Sequence, residues 1–353
     1  MRPPPITESA ESGASSVKES VTNNSISFWN RFLTEDMSNQ ERKLIGNCWK
    51  TSTKNSYDTQ LRKWLIYCKE TGIAPKSALF SEARKFLIHL HSEGAKYDTI
   101  CAARSMLSNV LPKENGGTFG KDETVSKVLK ALFLKNPRLP RHVAVYDPDI
   151  VLRYMASLPL NGLLTLEVLT YKLCTLLCLL SGQRSQTIGE IHLNHSRRHE
   201  DMLTCYIPSL LKTSKPTFHQ APLEYVAYSH KAMCVIDCYD KYIERVIDIR
   251  QNIEGDVDKQ RLIMSPYPPH NPVKSATIAG YVKTSLGWSG IDLTVFTTHS
   301  TRSASTSKGN NLGLSLKDIN KAAGWREGST FRRFYKFPVR KNLGDTLLKG
   351  ASI

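Results

Sequence analysis

The sequence has no long uncharged apolar run. Its most apolar stretch, Leu163 to Leu180, carries Glu167 and Lys172. It therefore reads as a buried helix rather than a membrane span, which needs ~20 apolar residues. The first residues show no basic segment followed by an apolar one, so no secretory signal is expected. Cysteines number eight in 353 residues, too few for a disulfide framework in a chain of this length. Cys174/Cys178 and Cys234/Cys238 are spaced i, i+4 within apolar helical patterns, as core thiols are. Zinc would need CxxC-like knuckles or histidines at ligand spacing, and neither occurs. These absences predict a soluble intracellular protein with reduced thiols, no metal and no cofactor.

Positive charge is abundant. Lys and Arg total 48 against 32 Asp and Glu, giving a net charge of +16 and a pI near 9.4. A folded chain this basic expects a polyanionic partner, nucleic acid first and a membrane surface second. The hydrophobic fraction of 40% suffices for packed cores. The length suggests two domains plus a tail, at ~150 residues per domain.

Residues 1–42 are rich in Ser, Glu, Asn and Pro around a short apolar island, Ile26 to Phe32, and read as a disordered tail, with a short helix that docks on a partner as the alternative. Residues 43–135 show helical periodicity four times. Tyr57, Leu61, Trp64, Leu65 and Cys68 share one face. Phe86, Leu87 and Leu90 mark a second helix, and Ile100, Ala103, Leu107 and Val110 a third. Val125, Val128, Leu129, Leu132 and Phe133 mark the fourth. Lys54, Arg62, Lys63, Lys96, Arg104, Lys127 and Lys130 fall on the polar faces, where they are either solvated or available to phosphates. Residues 136–146 contain Pro137 and Pro140 among basic residues and read as a stiff linker. A second domain follows over 147–340, with a short tail at 341–353. Helical patterns occupy 148–158, 163–180, 230–251, 275–286, 301–310, 315–323 and 329–335. Leu203 to Ile207 and Leu223 to Val226 read as two short strands. The expected fold class is mainly α with a small antiparallel β-sheet.

Six residues of the second domain form a chemical set. Arg184 ends the apolar run in Gly182-Gln183-Arg184. Lys212 follows 28 residues later in a turn-like stretch. His299 and Arg302 make an HxxR box. Trp325 follows Gly324, and Tyr335 stands ten residues further on. Each residue alone has an ordinary reading: a charge at a helix C-terminus, a turn lysine, a core tryptophan, a packed tyrosine. Together, in this order, they match what metal-free phosphodiester cleavage requires. Arginine forks hold the non-bridging oxygens as charge builds, which suits Arg184 and Arg302. Lys212 can protonate the leaving 5′ oxygen. His299 lies three residues before Arg302, on the same helix face. Trp325 offers an indole N–H. Tyr335 offers a nucleophilic oxygen.

This order and spacing resemble the tyrosine recombinase (phage integrase) family over nearly all of residues 45–340. Ala322-Ala323-Gly324-Trp325, Ser329-Thr330-Phe331, Phe334-Tyr335 and the Gln183-to-Thr187 box are most similar to recombinases of DIRS- and Ngaro-type retrotransposons. The His-Ser-x-Arg box and the tryptophan also resemble Cre-like enzymes. The resemblance implies a helical core-binding domain followed by a catalytic domain, the two clamping double-stranded DNA. It also implies a 3′-phosphotyrosine at Tyr335 and a homo-tetramer on DNA during strand exchange. For a eukaryotic mobile element it implies work in the nucleus, otherwise the cytoplasm. Two departures stand out. Many members carry a carboxylate three residues after the first arginine, where this chain has Thr187 and the nearest carboxylate is Glu190. The Trp-to-Tyr interval is one residue longer than is common in the family. The alternatives are a type IB topoisomerase-like enzyme and a non-catalytic DNA-binding protein derived from such an element.

Overall fold

The structure, a computed structural model, describes residues 28–33, 36–136, 145–211, 214, 217, 219–251, 253 and 260–325. The chain divides into two compact units, residues 1–139 and 140–353.

Among the described residues the first unit is helical: α1 (Phe28–Leu33), α2 (Asn39–Gly46), α3 (Thr51–Thr71), α4 (Phe80–Ser92), α5 (Tyr97–Val110) and α6 (Glu123–Lys135). The four periodic stretches of the sequence are α3 to α6. Ser38 caps α2 in a reciprocal box with Glu41, which satisfies two otherwise orphaned backbone donors. Asp122 caps α6 by accepting from Val125. Gly72 ends α3 in the left-handed conformation, φ 71°, where a Cβ is unfavourable. Leu61, Trp64 and Cys68 of α3 meet Phe86 and Leu87 of α4 and Ile100, Ala103 and Leu107 of α5, all buried.

Two features of this unit depart from the sequence reading. The tail expected to run to residue 42 contains α1 and α2. Trp29 is fully buried and meets Trp49 and Tyr57 edge-on, with ring centroids 5.7 and 4.8 Å away. Its backbone N–H donates to Asp58, and Asn30 donates to the Arg42 carbonyl at 2.8 Å. An indole is a large apolar side chain, and with Phe32 and Leu33 packed on the same core it anchors a short segment. Arg104, expected on a polar face, is half-buried, and its guanidinium donates to the Gly120 carbonyl at 3.0 Å. Arg62, Lys63, Lys96, Lys127 and Lys130 are exposed.

The second unit contains α7 (Pro148–Ser157), α8 (Leu166–Ser181), α9 (Ser185–Gly189), α10 (Val235–Gln251), α11 (Ser275–Trp288), α12 (Thr298–Asn311) and α13 (Leu316–Ala323). Its sheet holds β1 (Ser196–Arg198), β2 (Met202–Cys205) and β3 (Leu223–Val226) in the order β1-β2-β3, antiparallel throughout. The architecture is mainly helical with a small antiparallel sheet, as expected. α8 is the central element: Leu169 to Leu179 are all buried, and α10, α11 and α12 pack on it. That environment explains why its sequence looks like a membrane run without being one. No helix among the described residues is long and apolar enough to cross a membrane.

The sheet has three strands where the sequence suggested two. β1 reads Ser-Arg-Arg, with no apolar alternation to signal a strand. Its register, Ser196 opposite Cys205 and Arg198 opposite Leu203, comes from pairing with β2. β3 alternates as expected, with Leu223 and Tyr225 inward and Glu224 and Val226 outward. The helical pattern read from residue 230 begins at Val235, after a 3-10 turn at Lys231–Met233. The helix expected over 329–335 and most of the Pro-containing linker lie outside the described residues.

Candidate functional site

The site grows from the end of α8. Gly182 adopts the left-handed conformation there, φ 61°. A Cβ at that position would press on Thr306 Cγ2 at 3.1 Å, so the turn favours glycine twice over. The next two residues point different ways. Gln183 is buried at 3% exposure, while Arg184 is half-buried, extended, and N-caps α9. The Arg184 carbonyl receives the Thr187 N–H at 2.9 Å and the Ile188 N–H at 3.2 Å.

α12 supplies the HxxR box. His299 sits in its first turn and is exposed. Arg302 lies one turn on and is only 1% exposed. Its Nη1 donates to the Gly182 carbonyl at 3.1 Å and its Nη2 to the Ala323 carbonyl at 2.7 Å. The guanidinium carbon lies 4.3 Å from the centroid of the Trp325 ring, within cation–π range. A buried cation is costly unless polarised groups surround it. Two backbone carbonyls and an aromatic face meet that requirement here.

α13 supplies the third side. It ends at Gly324, φ 63°, left-handed, and Trp325 donates its backbone N–H to the Asn320 carbonyl at 2.8 Å. Trp325, Ala323 and Ile319 form a small buried cluster of their own. The structure thus brings Arg302 and Trp325 into direct contact. Through Gly182 it draws the turn carrying Arg184 onto the same junction. His299 shares α12 with Arg302. Lys212 and Tyr335 lie outside the described residues.

Gln183 joins the site although no chemical role is legible for it in the sequence. Its Nε2 donates to the Ala322 carbonyl at 2.5 Å, and its Oε1 accepts from Thr187 Oγ1 at 3.1 Å. Its place beside Arg184 and at the head of the Gln183-to-Thr187 box is the signal the sequence carries. Glu190, the carboxylate nearest the first arginine in sequence, is engaged elsewhere. It accepts from Ser209 Oγ at 2.6 Å and pairs with Arg261 at 3.5 Å. Burial lifts the phenols of Tyr146 and Tyr225 above their ordinary values, so neither adds negative charge to this unit's interior. Among the described residues no group of three His, Cys, Asp or Glu side chains could hold a metal ion.

The family profile described as "Phage integrase family" matches residues 163–338. XerH site-specific recombinase, in a post-cleavage complex with palindromic difH substrate, aligns with a TM-score of 0.57 at 15% identity, covering 92% of this chain and 94% of that one. The Tn1549 transposon integrase, bound to transposon right end DNA, aligns at 0.55 and 14% identity, covering 91% and 98%. A lambda integrase dimer bound to a COC′ core site aligns at 0.51 and 16%, covering 86% and 95%. No curated protein sequence matches the chain. The fold is that of the tyrosine recombinases.

Proposed function

We propose, for a chain whose residues 163–338 are a phage integrase family domain, that it is a site-specific DNA recombinase which cuts and rejoins strands through a 3′-phosphotyrosine. One observation carries the reading. Arg302 is held by the Gly182 and Ala323 carbonyls and by the Trp325 ring, which gathers three separate elements around a single cation. In the proposed reaction Arg184 and Arg302 face the non-bridging oxygens of the scissile phosphate, with His299 and Trp325 as further donors. Charge that builds on phosphorus-bound oxygens is best met by donors already in place.

The Tyr335 oxygen attacks phosphorus and its proton passes to an acceptor within the site. The bond from phosphorus to the 5′ oxygen breaks, and Lys212 protonates that oxygen as it leaves. Attack by the 5′ hydroxyl of a partner strand reverses the step, so the bond energy is kept. Arginine performs the electrostatic work that a divalent ion performs in other nucleases.

The first unit serves as the core-binding domain, its exposed lysines and arginines meeting phosphates on double-stranded DNA. Four protomers assemble on two duplexes, and the gene belongs to a mobile element of the DIRS or Ngaro kind, acting in the nucleus.

The test uses a randomised library of nicked duplexes, in which a strand cut near the nick loses its short 5′-hydroxyl fragment and cannot religate. Covalent adducts should survive denaturing electrophoresis and should form in excess chelator. A protein that binds duplex DNA without any adduct is the non-catalytic derivative. One that relaxes supercoils without recombinant products is the topoisomerase-like alternative. Cleavage lost on chelation and restored by Mg²⁺ overturns the metal-free chemistry.

A further inference from the structure

We infer that Gln183 is a positioning residue for strand cleavage, acting through the end of α13. The inference rests on the strand-cleavage reading above. Its basis is a pair of adjacent carbonyls. Ala322 O and Ala323 O close the last turn of α13, immediately before Gly324 and Trp325. The first is held by the Gln183 amide at 2.5 Å, the second by Arg302 at 2.7 Å. Arg302 also holds Gly182 O, the carbonyl that precedes Gln183, at 3.1 Å. The α8–α9 turn and the α13 terminus are therefore joined twice, directly by Gln183 of the turn and through Arg302 of α12, which donates to a carbonyl of each.

Thr187 completes the device. It is buried at 4% exposure, and its hydroxyl donates to Gln183 Oε1 at 3.1 Å. That bond fixes which end of the amide faces Ala322, because only the NH₂ end can donate. A carboxylate in place of Thr187 would also accept hydrogen bonds, but it would add a buried negative charge beside the arginines. The Gln183–Thr187 pair supplies a fixed orientation without that charge.

The consequence lies along the chain. Arg184 is the residue after Gln183, and Trp325 is three residues after Ala322. The amide thus sets the separation between the turn carrying Arg184 and the end of α13, which precedes Tyr335 in the sequence. Misplacing reacting groups by about 1 Å can cost on the order of 100-fold in rate. Affinity for DNA depends mainly on phosphate contacts spread over a wide surface, which this bond does not make.

The experiment compares the full chain with Gln183→Met and Thr187→Val, both close to the native shapes. The probe is the duplex recovered from the adduct library, in single-turnover cleavage at saturating DNA. Gln183→Met should lower the cleavage rate by about 10- to 100-fold and leave the DNA dissociation constant within about two-fold. Thr187→Val keeps the bond to Ala322 and should lose less, with the same unchanged affinity. Wild-type cleavage by Gln183→Met overturns the inference. So does a fall in affinity that accounts for the whole loss of rate. If Gln183→Met does not fold, Thr187→Val decides on the same two measurements, and failure of both to fold marks Gln183 as a core residue only. Absence of adduct in the wild-type chain contradicts the strand-cleavage reading itself, a separate outcome.

Discussion

Among the described residues, the first unit buries two polar side chains, Asn30 and Gln60, whereas the second buries seventeen, three of them the cations Lys172, Arg250 and Arg302. The first unit is held by rings: Trp29, Trp64, Phe86 and Phe119 are among its most buried side chains. The second carries two arginines that each clasp a pair of backbone carbonyls. Arg250 binds Arg261 O at 2.6 Å and Leu262 O at 2.5 Å, as Arg302 binds Gly182 O and Ala323 O. A helical module that offers only its outer surface to a ligand can bury pure hydrocarbon. A unit that must hold irregular turns in fixed places needs donors inside it, because carbonyls at turns have no ladder partner. The difference separates a unit built for shape from a unit built for placement.

Substitutions can break this comparison. The largest stability effect belongs to the ring core. Trp64→Ala should cost the first unit about 3–5 kcal/mol, read as an early transition in thermal unfolding, with the near-ultraviolet signal of the second unit melting where it did before. A single shared transition would show that the units do not unfold separately.

Arg250→Met should cost about 2–4 kcal/mol, since two buried carbonyls lose their donors and the new side chain offers none. The loss should appear in the second unit, with duplex affinity unchanged. A loss under about 0.5 kcal/mol, the range of ordinary surface substitutions, would deny Arg250 its role as a clasp.

Lys172 sharpens the contrast in the other direction. It is 1% exposed, and its ammonium donates to the Met155 carbonyl at 3.3 Å. Burial pulls its pKa below the ordinary 10.5. The unfolded chain therefore binds this proton more tightly than the folded one, and stability rises with pH through the window between the lowered value and 10.5. Lys172→Met should stabilise the second unit at pH 7 by on the order of 1 kcal/mol, with the gain shrinking toward pH 10. A destabilised variant, or a gain independent of pH, would mean that the ammonium is well solvated where it lies.

Periodicity revealed much of this fold because most of its elements bury one face. Trp64 with Leu61 and Cys68, or Leu223 with Tyr225, announce themselves by spacing. β1 did not, since its three residues carry no apolar signal and take their register from β2. α1 did not, since its six residues are too short to show a helical period, although Trp29, Phe32 and Leu33 pack on the core. At the candidate site, residue type and order singled out Arg184, His299, Arg302 and Trp325. What the sequence could not display was the wiring: that Arg302 spends two donors on carbonyls 120 and 21 residues away, or that Gln183 reaches Ala322. Such bonds run from side chain to backbone, and a backbone carbonyl has no letter in the sequence.

The central claim is that the buried cation junction of the second unit serves a tyrosine that attacks DNA. Digesting the covalent complex with a protease and a nuclease, then locating the nucleotide-bearing peptide by mass spectrometry, tests it most directly. The account predicts a nucleotide on Tyr335 in the peptide containing Phe334-Tyr335, and no adduct from Tyr335→Phe, which should still bind duplex. A nucleotide on any other residue, or an adduct that persists in Tyr335→Phe, would contradict it.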